Sequence, residues 1–380
     1  MMRIGIVAKG NVFGYGGVER SVVRIAQGLQ ATGRYQVDVI ELRPDLRADL
    51  ASGGMFDFEP RVLPGGVSLF QIRAWCTSPT ASERDFAVFQ ALVELGRRRG
   101  YELLNGFYAS TAGFYTAYAA RELGIPSVIS LRGNDIHRDV FDGRRLAHLQ
   151  FALTSATAIT SVSAEGLRRA EILADCAGKG RVILNGIDPS TYAEGVVNVA
   201  TGSPLIGSMA KFRGKKGLPT LIQAFAQLEL PAARLLLIGD VVPEERDEAL
   251  ELITRCGVED QVTITGFVPR EDALRYLRAL DLFVLSSIHE GCPNVLLEAM
   301  AAGVPAVATA VGAVPEMIVN DEAVVVPPGD ATALAKGITE LLSADRQAYA
   351  DRALTAIRTR FAPDRELADF DEVYTWCLTR

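Results

Sequence analysis

Runs of apolar residues recur along the chain, and between them the apolar positions spread to helical spacing. The pattern predicts strands at 3–8, 36–42, 101–105, 126–131, 158–162 and 181–184, then at 204–208, 234–238, 261–265, 281–285, 305–308 and 322–326. Most are continuous, as in Leu235-Leu236-Leu237-Ile238 and Leu282-Phe283-Val284-Leu285. A strand with no polar face is buried on both sides, which fits a parallel sheet covered by helices. Strand and helix alternating at this spacing describe doubly wound α/β units. The stretch 44–85 is the least regular.

The alternation pauses once, between Tyr192 and Ser203, where small and polar residues carry no period. A linker there predicts two Rossmann-like domains with doubly wound parallel sheets, over 1–190 and 203–360. Residues 345–378 read as two helices divided by Pro363. The segment 361–380 is expected to cross back to the N-terminal domain. Ligands of open α/β sheets bind beyond the carboxyl ends of the strands. Two such domains facing each other therefore predict an interdomain cleft.

Composition sharpens this picture. The chain has 380 residues, room for two domains, and is 49% hydrophobic and 22% charged, which excludes a disordered or fibrous protein. A net charge of −7 argues against a nucleic-acid binder. The charge is uneven: residues 1–195 carry net +2 and the remainder net −9. Five scattered cysteines with no Cys-x-x-Cys pair predict neither a disulfide framework nor a zinc site, and suit a reducing cytoplasm. The uncharged stretches 103–120 and 146–164 hold too many hydroxyl and amide groups to span a bilayer. No signal-type apolar region precedes the first strand. The expectation is a cytoplasmic protein with no transmembrane segment.

The clearest chemical signal is His289-Glu290-Gly291-Cys292-Pro293-Asn294-Val295-Leu296-Leu297-Glu298-Ala299-Met300, directly after a buried strand. Pro293 suits the first turn of a helix, with Leu296, Leu297 and Met300 on its core face. Glu290 then lies on the strand-to-helix loop and Glu298 about one and a half turns inside the helix. N–H groups of such a first turn favour an anion such as phosphate, and flanking carboxylates can hold sugar and ribose hydroxyls. Gly16 and Gly17 open the first N-terminal helix, where the missing Cβ lets backbone approach a ligand closely. Their spacing to Gly10 and Gly14 does not match the dinucleotide fingerprint.

Asp369-Phe370-Asp371 imitates a metal-binding Asp-x-Asp. In a helical pattern, however, residues two apart point away from each other. No His/Cys cluster offers a metal site. Arg97-Arg98-Arg99 before Gly100 reads as a helix C-terminus, and His148 as a packed residue.

The pattern Glu290-x7-Glu298, followed by Ala-Met-Ala-Ala-Gly-Val-Pro-Ala-Val-Ala-Thr and Gly312-Ala313-Val314-Pro315-Glu316, closely resembles the retaining glycosyltransferases of family 4, of the GT-B fold. Residues 206–217 resemble the family's Gly-Arg-x4-Lys-Gly segment, Asn185-Gly186-Ile187-Asp188 its turn at the domain junction, and Gly16-Gly17-Val18-Glu19-Arg20 its glycine loop. The resemblance implies a nucleotide-sugar donor held mainly by the C-terminal domain and a hydroxyl acceptor held mainly by the N-terminal one. It implies ribose binding by Glu298, sugar binding by Glu290, and backbone contacts from Gly291, Cys292, Pro293, Asn294 and Val295. Lys216 matches the family lysine on the diphosphate. The loop Gly266-Phe267-Val268-Pro269 is where the family contacts the base.

Two departures stand out. Lys211 replaces the family arginine, a point charge in place of a bidentate fork. Arg132 stands where many members carry a histidine before Gly-x-Asp, and an arginine cannot exchange a proton near neutral pH. Asp135 matches the acid of that motif, and His137, two residues on, is placed to compensate for the histidine.

The resemblance thus implies transfer with retention, Glu290, Lys211, Lys216, Arg132 and Asp135 serving catalysis, and no metal or other cofactor. The acceptor, a small molecule, a glycan or a lipid-linked sugar, is expected to be chosen by 44–85 and 107–116. A lipid acceptor would bring peripheral membrane contact. Two alternatives share these features: a nucleotide-sugar 2-epimerase, which needs no acceptor, and a non-catalytic nucleotide-sugar-binding partner.

Overall fold

The computed structural model describes residues 1–10, 12, 17–43, 57–72, 81–192, 195 and 203–379. Two compact units emerge: Met1–Asn185 joined by the C-terminal stretch from Glu366, and Gly186–Arg365. The first division thus falls after Asn185 and not within 192–203. Tyr192, at the end of a 3-10 turn over Pro189–Tyr192, is a buried residue of the second unit.

In the first unit the order is β1 (Met2–Lys9), α1 (Gly17–Ala31), β2 (Tyr35–Leu42), β3 (Asp57–Val62), β4 (Ser68–Ile72), α2 (Ala81–Arg99) and β5 (Leu103–Phe107). It continues through α3 (Phe114–Leu123), β6 (Ser127–Leu131), α4 (Asn134–His137), α5 (Gly143–Ser155), β7 (Ala158–Ser161), α6 (Ala164–Leu173) and β8 (Gly180–Val182). The strands line up β3-β4-β2-β1-β5-β6-β7-β8. Among the described residues, only the β3–β4 pairing of this sheet is antiparallel. Ile25 and Leu29 of α1 pack on one face with Ile4, Ile6 and Val37. Val88 and Leu92 of α2 pack on the other with Val7 and Ile40. Burial on both faces is why these strands read as continuous apolar runs.

The second unit repeats the scheme with β9 (Leu205–Met209), α7 (Leu218–Ala226), β10 (Arg234–Ile238), α8 (Pro243–Arg255), β11 (Val262–Ile264), α9 (Arg270–Arg278) and β12 (Leu282–Leu285). Then come α10 (Asn294–Ala301), β13 (Ala306–Thr309), α11 (Val314–Met317), β14 (Val324–Val326), α12 (Ala331–Ser343) and α13 (Arg346–Thr359). Its six strands are all parallel, in the order β11-β10-β9-β12-β13-β14.

The last helix, α14 (Pro363–Leu378), belongs to the first unit from Glu366 onward. Phe370, Val373 and Tyr374 join its core. Asp371 accepts hydrogen bonds from the Tyr35 hydroxyl at 2.5 Å and from Arg34. Asp371 is therefore engaged in holding this helix to the first unit. Arg97, Arg98 and Arg99 form the last turn of α2, ended by Gly100 at φ 65°. Arg99 also donates to the buried Asp38, so it is no surface patch. Among the described residues, no helix is long and apolar enough to cross a membrane.

A line of buried polar groups runs through the first sheet. Asn105 donates to the Tyr374 hydroxyl at 2.6 Å, Ser130 donates to Asn105 at 3.0 Å, and the Ser130 and Thr160 hydroxyls lie 2.8 Å apart. Burial raises the Tyr374 phenol well above its ordinary pKa, although the Asn105 bond works against it, so the group stays neutral. Tyr374→Phe would leave the Asn105 amide buried without this acceptor. The expected cost is about 1–3 kcal/mol, read as a lower urea midpoint at unchanged slope.

Candidate functional site

Strand order decides which loops meet. In the second unit β9 lies beside β12, while the chain leaves β9 for β10 on one side and leaves β12 for β13 on the other. A crevice opens at the carboxyl ends of two strands whose connections diverge in this way. The two loops at this crevice, 210–217 and 286–293, carry Lys211, Lys216, Glu290, Gly291, Cys292 and Pro293.

They are stitched together by backbone. Ile288 N–H donates to the Lys215 carbonyl at 2.8 Å, and the Ser286 hydroxyl donates to the Lys216 carbonyl at 2.9 Å. Gly217 follows at φ 62°, where a Cβ would lie 2.0 Å from the Ser286 oxygen. Only glycine permits this approach. The result brings Lys216 Nζ to 2.6 Å from Glu290 Oε1, which also accepts from the Ser287 hydroxyl at 2.7 Å. Both charged side chains are largely buried, with 19% of Lys216 and 8% of Glu290 exposed. Lys211 is exposed on the same β9 loop.

Pro293 is the buried N-cap of α10, one position before the first turn in which the sequence suggested it. The helix begins without a side-chain cap. Asn294 and Val295 are half-buried in its first turn, and Gly291 and Cys292 are half-buried on the approach. Cys292 Sγ lies 3.9 Å from Met317 Sδ. Gly312 passes beneath this loop at φ 54°, and the Ala313 N–H donates to the Gly291 carbonyl at 2.8 Å.

Glu298, 4% exposed, projects from α10. Its Oε1 accepts from Arg270 Nη2 at 2.8 Å, and the same nitrogen donates to the Tyr192 hydroxyl at 3.0 Å. Burial works to lower the Arg270 pKa, but Glu298 and Tyr192 raise it above its ordinary value. Phe267 is 70% exposed on the loop before α9. Arg270, Tyr192 and Ser287 were missed by sequence reasoning. Only Arg270 carried a signal: a cation at the first residue of a helix opposes the helix dipole.

In the first unit, β1 and β5 are the neighbours whose connections diverge. Gly17 opens α1, and Gly16 lies outside the described residues. The guanidinium of Arg132 lies 4.5 Å from the centre of the Phe107 ring, and its Nη1 donates to Asn185 Oδ1 at 3.2 Å. Asp135 is fully buried and accepts from the Ala109 N–H at 3.0 Å and the Arg132 N–H at 3.2 Å. Burial pushes its carboxyl above the usual range, against the pull of those N–H groups. Through these bonds Asp135 holds the loops after β5 and β6 to each other.

His137 is buried at the end of α4, and its Nε2 lies 3.8 Å from Glu165. His148 is packed flat on Phe114, ring centres 3.8 Å apart. Among the described residues, no three His, Cys, Asp or Glu side chains gather where they could share a metal ion.

Comparison with known proteins identifies the family and the fold. The profile described as "Glycosyltransferase Family 4" matches residues 15–191, and that described as "Glycosyl transferases group 1" matches 194–356. The chain belongs to glycosyltransferase family 4. It resembles the N-acetyl-alpha-D-glucosaminyl L-malate synthase of Bacillus anthracis, 26% identical over 304 residues, covering 76% of this chain and 78% of the relative. It resembles the lipopolysaccharide core biosynthesis glycosyltransferase LpsE of Rhizobium meliloti at 34% identity over 178 residues, 46% of this chain and 48% of LpsE. The second match thus spans about half the length of that relative.

Among solved structures, sucrose-phosphate synthase from Thermosynechococcus elongatus superposes with a TM-score of 0.79 at 20% identity, over the whole of both chains. Anabaena HepE in complex with UDP-glucose superposes with a TM-score of 0.77 at 22% identity, over 99% of this chain and all of HepE. The fold is GT-B, and the enzyme is a glycosyltransferase using a nucleotide-sugar donor.

Proposed function

We propose that this glycosyltransferase works with retention and without a metal ion, moving a sugar from a nucleoside diphosphate to a hydroxyl acceptor. The observation that carries this reading is the meeting of Lys216 with Glu290 at the diverging strands of the second unit. In it Lys216, Lys211 and the start of α10 stabilise the charge that grows on the departing diphosphate, work done by a metal in other enzymes. Glu290 orients the transferred sugar, and Glu298 holds the ribose diol. Gly291 to Val295 line the sugar and diphosphate, and Phe267 flanks the base.

The acceptor is held by the first unit, with Arg132 contributing charge and hydrogen bonds but no proton transfer. The acceptor oxygen attacks the face that the diphosphate leaves, and the departing phosphate oxygen takes the acceptor proton. Scattered cysteines with no Cys-x-x-Cys pair suit a reducing cytoplasm as the place of action.

The test is the anomeric configuration of the product, followed by NMR in the presence of EDTA. Retained configuration at an undiminished rate is expected. An inverted product or loss of activity to the chelator overturns the corresponding half of the proposal.

A further inference from the structure

Arg270 stands where helix physics disfavours it. It is the first residue of α9, preceded by Pro269, at the end of the helix that carries partial positive charge. Glu271 and Asp272, beside it in the same turn, are the residue types such a position favours. A cation there needs compensation from outside the helix, and it finds this in Glu298, 28 residues further on.

The contact is directed. One nitrogen, Nη2, serves both Glu298 Oε1 and the Tyr192 hydroxyl. Tyr192 is buried, Glu298 is 5% exposed at its side chain, and Arg270 is 36% exposed. A carboxylate this deeply buried is costly to leave without a compensating charge, and the guanidinium geometry fixes its plane as well as its charge. Arg270 also adjoins the loop 266–269, so it joins the segment expected at the base to the carboxylate expected at the ribose.

We infer that Arg270 is a positioning residue that holds Glu298 in the orientation needed to accept both hydroxyls of the donor ribose. This rests on the reading of Glu298 as the ribose-binding group. Arg270 itself need touch neither sugar nor diphosphate. A carboxylate freed from it rotates about its last side-chain bond and accepts the two hydroxyls less well.

Calorimetric titration of the full chain with UDP, GDP and ADP, and with the 2′,3′-dideoxy form of each, measures the worth of the diol. For the nucleotide bound best, wild type is expected to prefer the ribose form. Arg270→Ala should lower that preference about tenfold and leave dideoxy affinity within about twofold. Arg270→Lys should restore part of the preference, because it returns the charge without the fork. A full preference retained in Arg270→Ala overturns the inference. So does an equal loss for ribose and dideoxy forms, the mark of a contact that only supports the fold. Glu298→Ala separates the two levels: if it keeps the preference, the reading of Glu298 itself falls, whatever Arg270 does.

Discussion

Lys216→Ala is expected to lower kcat/KM by about 10²–10³-fold, on the order of 3–4 kcal/mol of transition-state stabilisation. The magnitude follows from burial. A solvated lysine would be screened, whereas this one is 19% exposed and lies 2.6 Å from a carboxylate that is 8% exposed. The surrounding net charge of −9 beyond residue 195 does not weaken the argument. A cation focused in a crevice sets the local potential, whatever the average over the domain. Glu290→Gln should cost less, because Ser287 can still donate to its side-chain oxygen. The double variant should fall short of the sum of the two, since each single change already breaks the pair. Steady-state kinetics on the four proteins measures this. Equal and additive effects would show that lysine and glutamate act apart.

Gly312→Ala should be nearly as damaging without removing any functional group. Gly312 has φ 54°, and a Cβ there would lie 2.3 Å from the Gly291 oxygen and 2.4 Å from that of Glu290. Those atoms are backbone, so they can yield only by moving the loop that presents Glu290. The expected destabilisation is on the order of 3 kcal/mol. Turnover should fall by about 10²-fold, because a displacement near 1 Å of a positioned group costs that much. Gly329→Ala is the control. It has a similar φ of 74° but nothing within 4 Å of its Cβ. It should lose about 1 kcal/mol for the strained backbone and leave kcat/KM unchanged. Thermal unfolding paired with initial rates separates strain from loop displacement.

The strands legible in the sequence were those buried on both faces. Leu235 to Ile238 and Leu282 to Leu285 have no polar position to blur the pattern, and both lie within the strands β10 and β12. β3 and β4 were invisible for the opposite reason. Asp57-Phe58-Glu59-Pro60-Arg61-Val62 carries charges and a proline, which belong on an edge strand and read as irregular chain. Ser68–Ile72 is five residues directly after Pro64-Gly65-Gly66.

The candidate site divides along similar lines. The residue types of Glu290, Glu298 and Lys216 were readable from local spacing and resemblance. That Lys216 touches Glu290, 74 residues away, was not, because the contact depends on β12 pairing with β9. Arg270 meets Glu298, 28 residues further on, only in the folded chain. The burial of Asp135 and His137 was not legible, because burial is not written in a short loop. Two N–H donors from different loops converge on Asp135 only in three dimensions.

The central claim is that the second unit holds a nucleoside diphosphate at the diverging ends of β9 and β12. The melting temperature of the full chain, taken with UDP, GDP and ADP at equal concentration, tests it most directly. One of the three should raise the wild-type value by several degrees, and Glu298→Ala and Lys216→Ala should each lose most of that shift. No shift with any of them, or shifts in both variants equal to that of wild type, would contradict the account.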